Sequence, residues 1–452
     1  MSNRPRVLRS QRKIIGPMSE VNRNAAGIDA GSQEHWVSVP EDRDEEPVQK
    51  FGAFTDDLNA MADWLVDCGI TTIAIEATGV YWIPLFEILE ARGFDVKLVD
   101  SRSVGGRRKK TDVLDCQWIR QLHMYGLLDG AFRPSAQIMS VRSYMRQRRM
   151  LIEYASDHIR HMQKALDLMN LKLHTVIADI TGVTGQKIIR AILDGQRDPQ
   201  TLASLRDEKC KNSEQTIAKA LTGNYRDEHV FALRQAVELY TTYQAKIASC
   251  DVQIAIELKR YDSTEPPKTL PSAKNKKKRR KNQPHFDART MLYQMTGVDL
   301  TAVDGFEANT ALTIISEIGV DMSPWPTAGQ FASWLALCSN NRITGGKLLP
   351  KKKGKPMPNR AAQALRMAAQ TVARTPTAIG AFFRRKQSQY GWRHAVKATA
   401  HKLALIVYAM LKTKTEYRAL DENYYEKRYR ANLLKSIEKK AHRLGYTLVP
   451  VG

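Results

Sequence analysis

Two apolar runs in this chain each close on a carboxylate. Residues 26–38 read AGIDAGSQEHWVS, with Asp29 directly behind Gly27 and Ile28, and residues 71–78, TTIAIEAT, carry Glu76 at the end of a β-branched run. Both stretches have the pattern of strands entering a core. An uncompensated carboxylate there costs on the order of several kcal/mol unless hydrogen bonds, a cation or a metal offset it. Whatever this chain folds into must bring partners to these acids.

From Arg23 to about Leu128 strand and helix patterns alternate. GIDAGSQEHWVSVP reads as two strands or a hairpin around Gly31-Ser32, and VQKFGAFT as a third strand. LNAMADWLVDCG has helical periodicity and a plausible C-cap at Gly69. TTIAIEAT is a buried strand, VYWIPLFEILEARG a helix ending at Gly93, and FDVKLVD another strand. TDVLDCQWIRQLHMYG starts a helix at Thr111 or Asp112, both good N-cap types. The succession predicts a mixed α/β domain.

Residues 136–260 change character. VRSYMRQRRMLIEYASDHIRHMQKALDLMNLKL and the stretch from about His229 to Tyr261 read as two long amphipathic helices around a shorter helical insert, which suggests a coiled-coil arm. The run KNKKKRRK, residues 274–281, reads as an exposed basic loop between Pro-containing stretches, either phosphate-binding or merely solvated. Beyond about Ala288 the pattern is of short helices: LTAVDGFEANTALTIISEIG, AGQFASWLALC, AAQALRMAAQTVAR and HAVKATAHKLALIVYAMLKT, with SNNRITGGKLLPKKKGKPMPNR as a Gly/Lys/Pro-rich loop. The expected divisions are a basic tail at 1–22, an α/β domain at 23–130, a helical arm with its loop at 131–288, a mainly α domain at 289–415 and a helical tail at 416–452.

Charge narrows the function. Lys and Arg total 70 against 47 Asp and Glu, a net +23, which points to a polyanion and above all to nucleic acid. No apolar stretch reaches the roughly 18 residues of a spanning helix, and the basic start MSNRPRVLRSQRK has no apolar run behind it, so neither a membrane segment nor a secretory signal is expected. Five scattered cysteines without a CxxC argue for a reducing cytosol and against a zinc ribbon or disulfide framework.

In KTDVLD, Asp112 and Asp115 lie three apart and so share one helix face. Together with Asp29 and Glu76 they make four acids at strand ends and a helix start, as a two-metal phosphodiester site requires. Each has a plainer explanation: Asp112 as a helix cap, Asp115 in an ion pair, Glu76 on a loop backbone, Asp29 in an Asx turn. Asp95 and Asp100 stand near the same edges and compete for the assignment.

GIDAGSQEHWVSVP, IEATGVYWIPLFEILEARGFDVKLVD and KTDVLDCQWIRQLHMYGLL resemble the DEDD-type insertion-sequence transposases related to the Piv DNA invertase. AVDGFEANTALTIISEIG, FASWLALCSNNRITGGK and NRAAQALRMAAQ are similar to that family's C-terminal transposase domain. The resemblance implies a RuvC-like, RNase H-like fold for the N-terminal domain. It puts the family's four acids on Asp29, Glu76, Asp112 and Asp115, as ligands of Mg²⁺ or Mn²⁺. The family's nucleophilic serine falls where this chain has Thr344, in Ile343-Thr344-Gly345-Gly346-Lys347, with Ser339 as the other candidate and a plain Gly-rich turn as the alternative. Lys110, Arg342 and Lys347 would hold phosphate, Gly345 and Gly346 would let backbone approach DNA, and Lys276, Lys277, Lys278, Arg279 and Arg280 would add charge. The implied partners are donor and target double-stranded DNA, a structured non-coding guide RNA that reads sequence by base pairing, and further copies of the chain in a dimer or tetramer. The implied location is the bacterial cytoplasm, at the nucleoid. Two rival readings are a metal-dependent junction nuclease without a covalent step, and a non-catalytic nucleic-acid-binding protein whose acids are structural.

Overall fold

The structure is a computed structural model that describes residues 19–77, 79–100, 104, 111–261, 269–272, 281–338, 343–344, 347–348, 359–419 and 424–449. Two compact units divide the chain after Arg133.

The first unit runs β1 (Ala25–Ala30), β2 (Glu34–Ser38), β3 (Val48–Gly52), α1 (Thr55–Asp67), β4 (Thr72–Glu76), α2 (Trp82–Ala91), β5 (Asp95–Val99) and α3 (Asp112–Met124). The strands form one mixed sheet in the order β3-β2-β1-β4-β5. β1 pairs antiparallel with β2 and parallel with β4, and β4 pairs parallel with β5. Gly31 closes the first hairpin with an N–H bond to the carbonyl of Glu34 at 3.1 Å. Gly69 and Gly93 take positive φ just past α1 and α2, where a side chain would be strained.

Strand alternation explains the apolar runs. Ala26, Ile28, Ile73 and Ile75 belong to a core shared with Leu58, Met61 and Leu65 of α1 and Leu85 and Leu89 of α2. The opposite face presents Ala74 and Val99 to Ile119 of α3. Helices thus cover both faces, and the central strands have no solvent side on which to show polar residues. Gly27 is what lets α3 lie so close. A Cβ there would stand 2.2 Å from the Arg120 nitrogen and 2.4 Å from the Cys116 carbonyl oxygen.

In the second unit α4 (Ala136–Leu168) and α9 (Asp227–Arg260) are 33 and 34 residues long. Leu151 packs with Ile247, and the rings of Tyr154 and Tyr243 lie 5.7 Å apart, so the two helices run antiparallel as a hairpin. Arg148 and Asp251 form a buried ion pair along it, and Asp251 also accepts the His285 N–H at 3.0 Å. Between the two, α5 (Leu173–Val176), α6 (Val183–Leu193), α7 (Pro199–Ser204) and α8 (Glu214–Ala220) gather around Met162, Leu166 and Leu233 in a separate small core.

The chain continues through α10 (Ala288–Thr296), α11 (Ala308–Ile318), α12 (Ala328–Trp334), β6 (Ile343–Thr344), β7 (Lys347–Leu348), α13 (Arg360–Thr371), α14 (Ala378–Tyr390), α15 (Trp392–Thr413) and α16 (Tyr424–Arg443). Two features depart from the expected layout. The Gly/Lys-rich segment read as a loop contains a short antiparallel ladder, with Ile343 opposite Leu348 and Thr344 opposite Lys347. Helix α14 was not expected, because AFFRRKQSQY shows too few apolar positions to declare its period. All five cysteines are unpaired, and among the described residues no helix is long and apolar enough to cross a membrane.

The contact at Gly27 yields a first prediction. Gly27→Ala forces α3 away from the sheet and lowers stability by about 2–3 kcal/mol. Urea unfolding of the full chain measures this; a midpoint equal to wild type would contradict the close approach.

Candidate active site

The register of the parallel strands fixes where two of the acids stand. Ala26 lies opposite Ile73, Gly27 opposite Ala74 and Ile28 opposite Ile75, so one further step sets Asp29 beside Glu76. Neighbouring strands are about 4.8 Å apart, and residues in register share a face. That face is the one turned to α3, because Asp29 has the parity of Gly27 and Glu76 that of Ala74. Both side chains are half-buried.

Helix α3 runs antiparallel to β1 and β4. Near its C-terminal end the His123 ring nitrogen Nε2 pairs with the Thr72 hydroxyl at 2.9 Å, at the first residue of β4. Arg120 donates through Nε to the Ser38 hydroxyl at 3.1 Å, and Ser38 is the register partner of Gly27. Cys116 and Arg120 cover Gly27. The first turn of α3 therefore extends toward the ends of β1 and β4 that carry Asp29 and Glu76. Asp112 is one turn before buried Cys116 and Asp115 one turn before buried Ile119, so both continue the sheet-facing stripe. The helix is capped by the Thr111 side chain, which accepts the Leu114 N–H at 3.4 Å. Asp112 does not serve as the cap; it is exposed, and Asp115 is half-buried.

Electrostatics relate the strand to the helix. Burial pushes the Cys116 thiol up to about 12, and the negative charge of Asp29 adds to that push. Backbone N–H groups at the start of α3 favour negative charge there, which suits Asp112 and Asp115 in its first turn. Among the described residues no three acidic, His or Cys side chains stand close enough to hold one metal ion. The donor set nevertheless fits Mg²⁺ or Mn²⁺ in kind. Such hard ions take one or two carboxylates and complete their shell with water and phosphate oxygens, and Asp29 with Glu76 supply two carboxylates from adjacent strands.

The competing acids separate. Asp95 begins β5 at the opposite end of the sheet, where its carbonyl accepts the Thr72 hydroxyl at 3.0 Å, so it does not share the edge of Glu76. Asp100 follows Val99, the register partner of Glu76, and stands at the same edge. In the second unit the backbone of Thr344 pairs with Lys347 at the end of the short ladder. Ser339, Arg342, Gly345, Gly346, Lys110, Lys276, Lys277, Lys278, Arg279 and Arg280 lie outside the described residues. Of the basic run only Lys281 is described; its ammonium pairs with Asp179 at 3.1 Å.

Sequence reading missed a group of arginines in the second unit. Arg142, Arg146 and Arg360 converge on Glu317. Its signal was the Arg-rich face of α4, but the acid that organises it is over 170 residues away.

Residues 26–171 match a DEDD family model described as a transposase, and residues 297–384 match the model of the transposase IS116/IS110/IS902 family. The two matches together take in just over half of the chain. The chain belongs to the IS110 family of transposases. No curated protein matches it. The first match implies an RNase H-like fold, with which the mixed five-stranded sheet agrees. As a transposase it acts on DNA, and transposases of the DEDD type generally use divalent metals. The α5–α8 insert and α9 fall entirely outside both matches.

The lock at the far end of α3 gives a pH prediction. Burial, helped by the positive charge of Lys97, brings His123 down from its ordinary 6.5 to about 4. Between those values the unfolded chain binds a proton that the folded chain refuses, so stability falls as pH drops through this window, by up to about 3 kcal/mol. Urea midpoints measured from pH 7 to pH 4 should show this slope, and His123→Gln should flatten it. A slope unchanged in the variant would remove His123 from the account.

Proposed function

We propose that this transposase excises and inserts its own insertion sequence by metal-assisted strand cleavage in which a hydroxyl of the chain displaces one DNA end and forms a transient covalent protein–DNA link. The observation that carries the reading is the β1–β4 register, which ends at Ile28 opposite Ile75 and so brings Asp29 and Glu76 to the same end of the sheet, with the acidic first turn of α3 directed to that end, in a chain of a transposase family.

Asp29, Glu76, Asp112 and Asp115 would hold Mg²⁺ or Mn²⁺, which when bound supplies Lewis-acid polarisation of the scissile phosphate and charge neutralisation at the leaving oxygen. The chain's own part is to present these carboxylates from two adjacent strands and the first turn of one helix, leaving the rest of the ion's shell to water and phosphate oxygens. The attacking group is a hydroxyl, Thr344 or Ser339. Its oxygen forms the new bond to phosphorus, the bond to one deoxyribose oxygen breaks, and that oxygen leaves as a hydroxyl with the proton balance closed by solvent. The phosphodiester is exchanged rather than hydrolysed, so rejoining needs no outside energy. Gly345 and Gly346, beside Thr344, have no side chains to hold the backbone away from DNA. Arg342 and Lys347, in the segment of Thr344, would hold phosphate beside the hydroxyl, and Lys110, next to Thr111 in sequence, would do so on the acid-bearing unit.

The net charge of +23 supports a load of more than one duplex. We assign it to donor and target DNA together with a structured non-coding RNA that guides both. The α4–α9 hairpin, as a coiled-coil arm, is the assembly element of a dimer or tetramer that works on the nucleoid in the cytoplasm.

Expression beside the native element flanks, with junction PCR for rejoined ends, tests the reading. Loss of metal-borne stabilisation of several kcal/mol corresponds to about a thousandfold, so Asp29→Asn and Asp112→Asn should leave no detectable junction. Thr344→Ala or Ser339→Ala, whichever removes the nucleophile, should do the same and also lose the covalent adduct on denaturing gels. If neither hydroxyl variant matters while the acid variants do, the protein is a nuclease acting through water. If the acid variants still form junctions, the acids are structural.

A further inference from the structure

Away from the acids, the second unit carries two cavities joined along one helix. The first, of about 350 Å³, is walled by Arg146 and Arg149 of α4, Asn309 and Glu317 of α11, and Arg360 and Gln363 of α13. Its electrostatics are unbalanced. Arg146 is bidentate on Glu317 at 3.1 and 2.9 Å, Arg142 approaches the same carboxylate at 3.5 Å and Arg360 at 3.9 Å. One carboxylate cannot neutralise three guanidiniums, and Arg149 adds a fourth at the wall, bonded to Gln363 at 3.0 Å and to Glu153 at 3.0 Å. Burial and the neighbouring Arg146 charge both press the Arg360 guanidinium toward losing its proton, a sign of a site short of anions. The Asn309 side-chain oxygen is buried in this wall without a partner.

The second cavity, of about 640 Å³, is lined by Gln370, Arg374, Arg384 and Trp392 and by no acid. Met367, 57% exposed, borders both cavities. Positions 360, 363, 367, 370 and 374 recur every three or four residues, so they form one stripe along α13 and the turn after it. The stripe is about 21 Å long at 1.5 Å per residue, the length of about six stacked nucleotides at 3.4 Å. At its end Trp392 is 46% exposed, with its ring held edge-on by Phe383 at 5.1 Å.

We infer that this stripe is a track for a single strand of DNA, with phosphate seated among Arg146, Arg149 and Arg360 and a base stacked on Trp392. A single strand fits better than a duplex because Trp392 can stack only on a base freed from its own stack. That the strand is DNA rests on the proposed transposase reading; the track itself does not depend on which residues cut.

Fluorescence anisotropy of the full chain with a labelled single strand of about twelve deoxynucleotides, in EDTA so that nothing is cleaved, tests the track. Trp392→Ala should weaken binding about tenfold and Trp392→Phe should restore most of it. Arg149→Ala should lower the slope of log K against log salt by about 0.7. The excision test of Asp29→Asn reads the acid site separately from this binding assay, so a failure of the acid site and a failure of the track are told apart. Wild-type binding by Trp392→Ala and Arg149→Ala would overturn the inference. So would a Trp392→Phe loss as deep as that of Ala, which would make Trp392 a packing residue, or a duplex or an RNA strand of the same sequence binding more tightly than the single DNA strand. Melting curves of each variant confirm that folded protein is being compared.

Discussion

The distance between α3 and β1 at Gly27 governs the whole first unit. A helix lying with its backbone against a strand has no room to slide, because any side chain at the contact would collide with main-chain atoms. With that contact set and His123 pinned to Thr72, the direction and reach of α3 follow, and so does the placement of its acidic first turn. The register of β1 on β4 does the same for Asp29 and Glu76. The candidate site is therefore built from positions that cannot shift singly, as a centre relying on preorganised charge requires.

Much of this unit could be read from residues alone. The strands are covered on both faces, so they appear as unbroken apolar runs, and a charge inside such a run is conspicuous. Glycines past α1 and α2 and the Thr111 cap marked the helix ends. What sequence could not supply was the third dimension of each acid. Asp95 and Asp100 flank the same strand and look equivalent in one dimension, yet the parallel register puts them at opposite ends of the sheet. The ladder at 343–348 has two residues per strand, too few for alternation to show.

The arginine cluster was hidden for a different reason. Glu317 lies in an apolar helix that reads as ordinary core, and its partners come from two other helices far away in sequence. A buried carboxylate ringed by guanidiniums is a poor source of net stability, since the carboxylate gives up its water while Arg146 and Arg360 stay partly solvated. It does fix three helices in one orientation, and it leaves a positive surplus facing outward from a packed wall.

The α4–α9 hairpin has a mechanical side as well. From the latch between Arg148 and Asp251 to the end of α4 at Leu168 is 20 residues, about 30 Å of helix. The insert is a compact weight at the far end, with a core of its own. Two helices packed side by side resist bending, so the pair is a stiff lever from the latch outward. At that length a tilt of about ten degrees carries the tip by about 5 Å, roughly one turn of an α-helix. A small repacking near the latch would thus be amplified into a displacement of a whole helical turn at the tip.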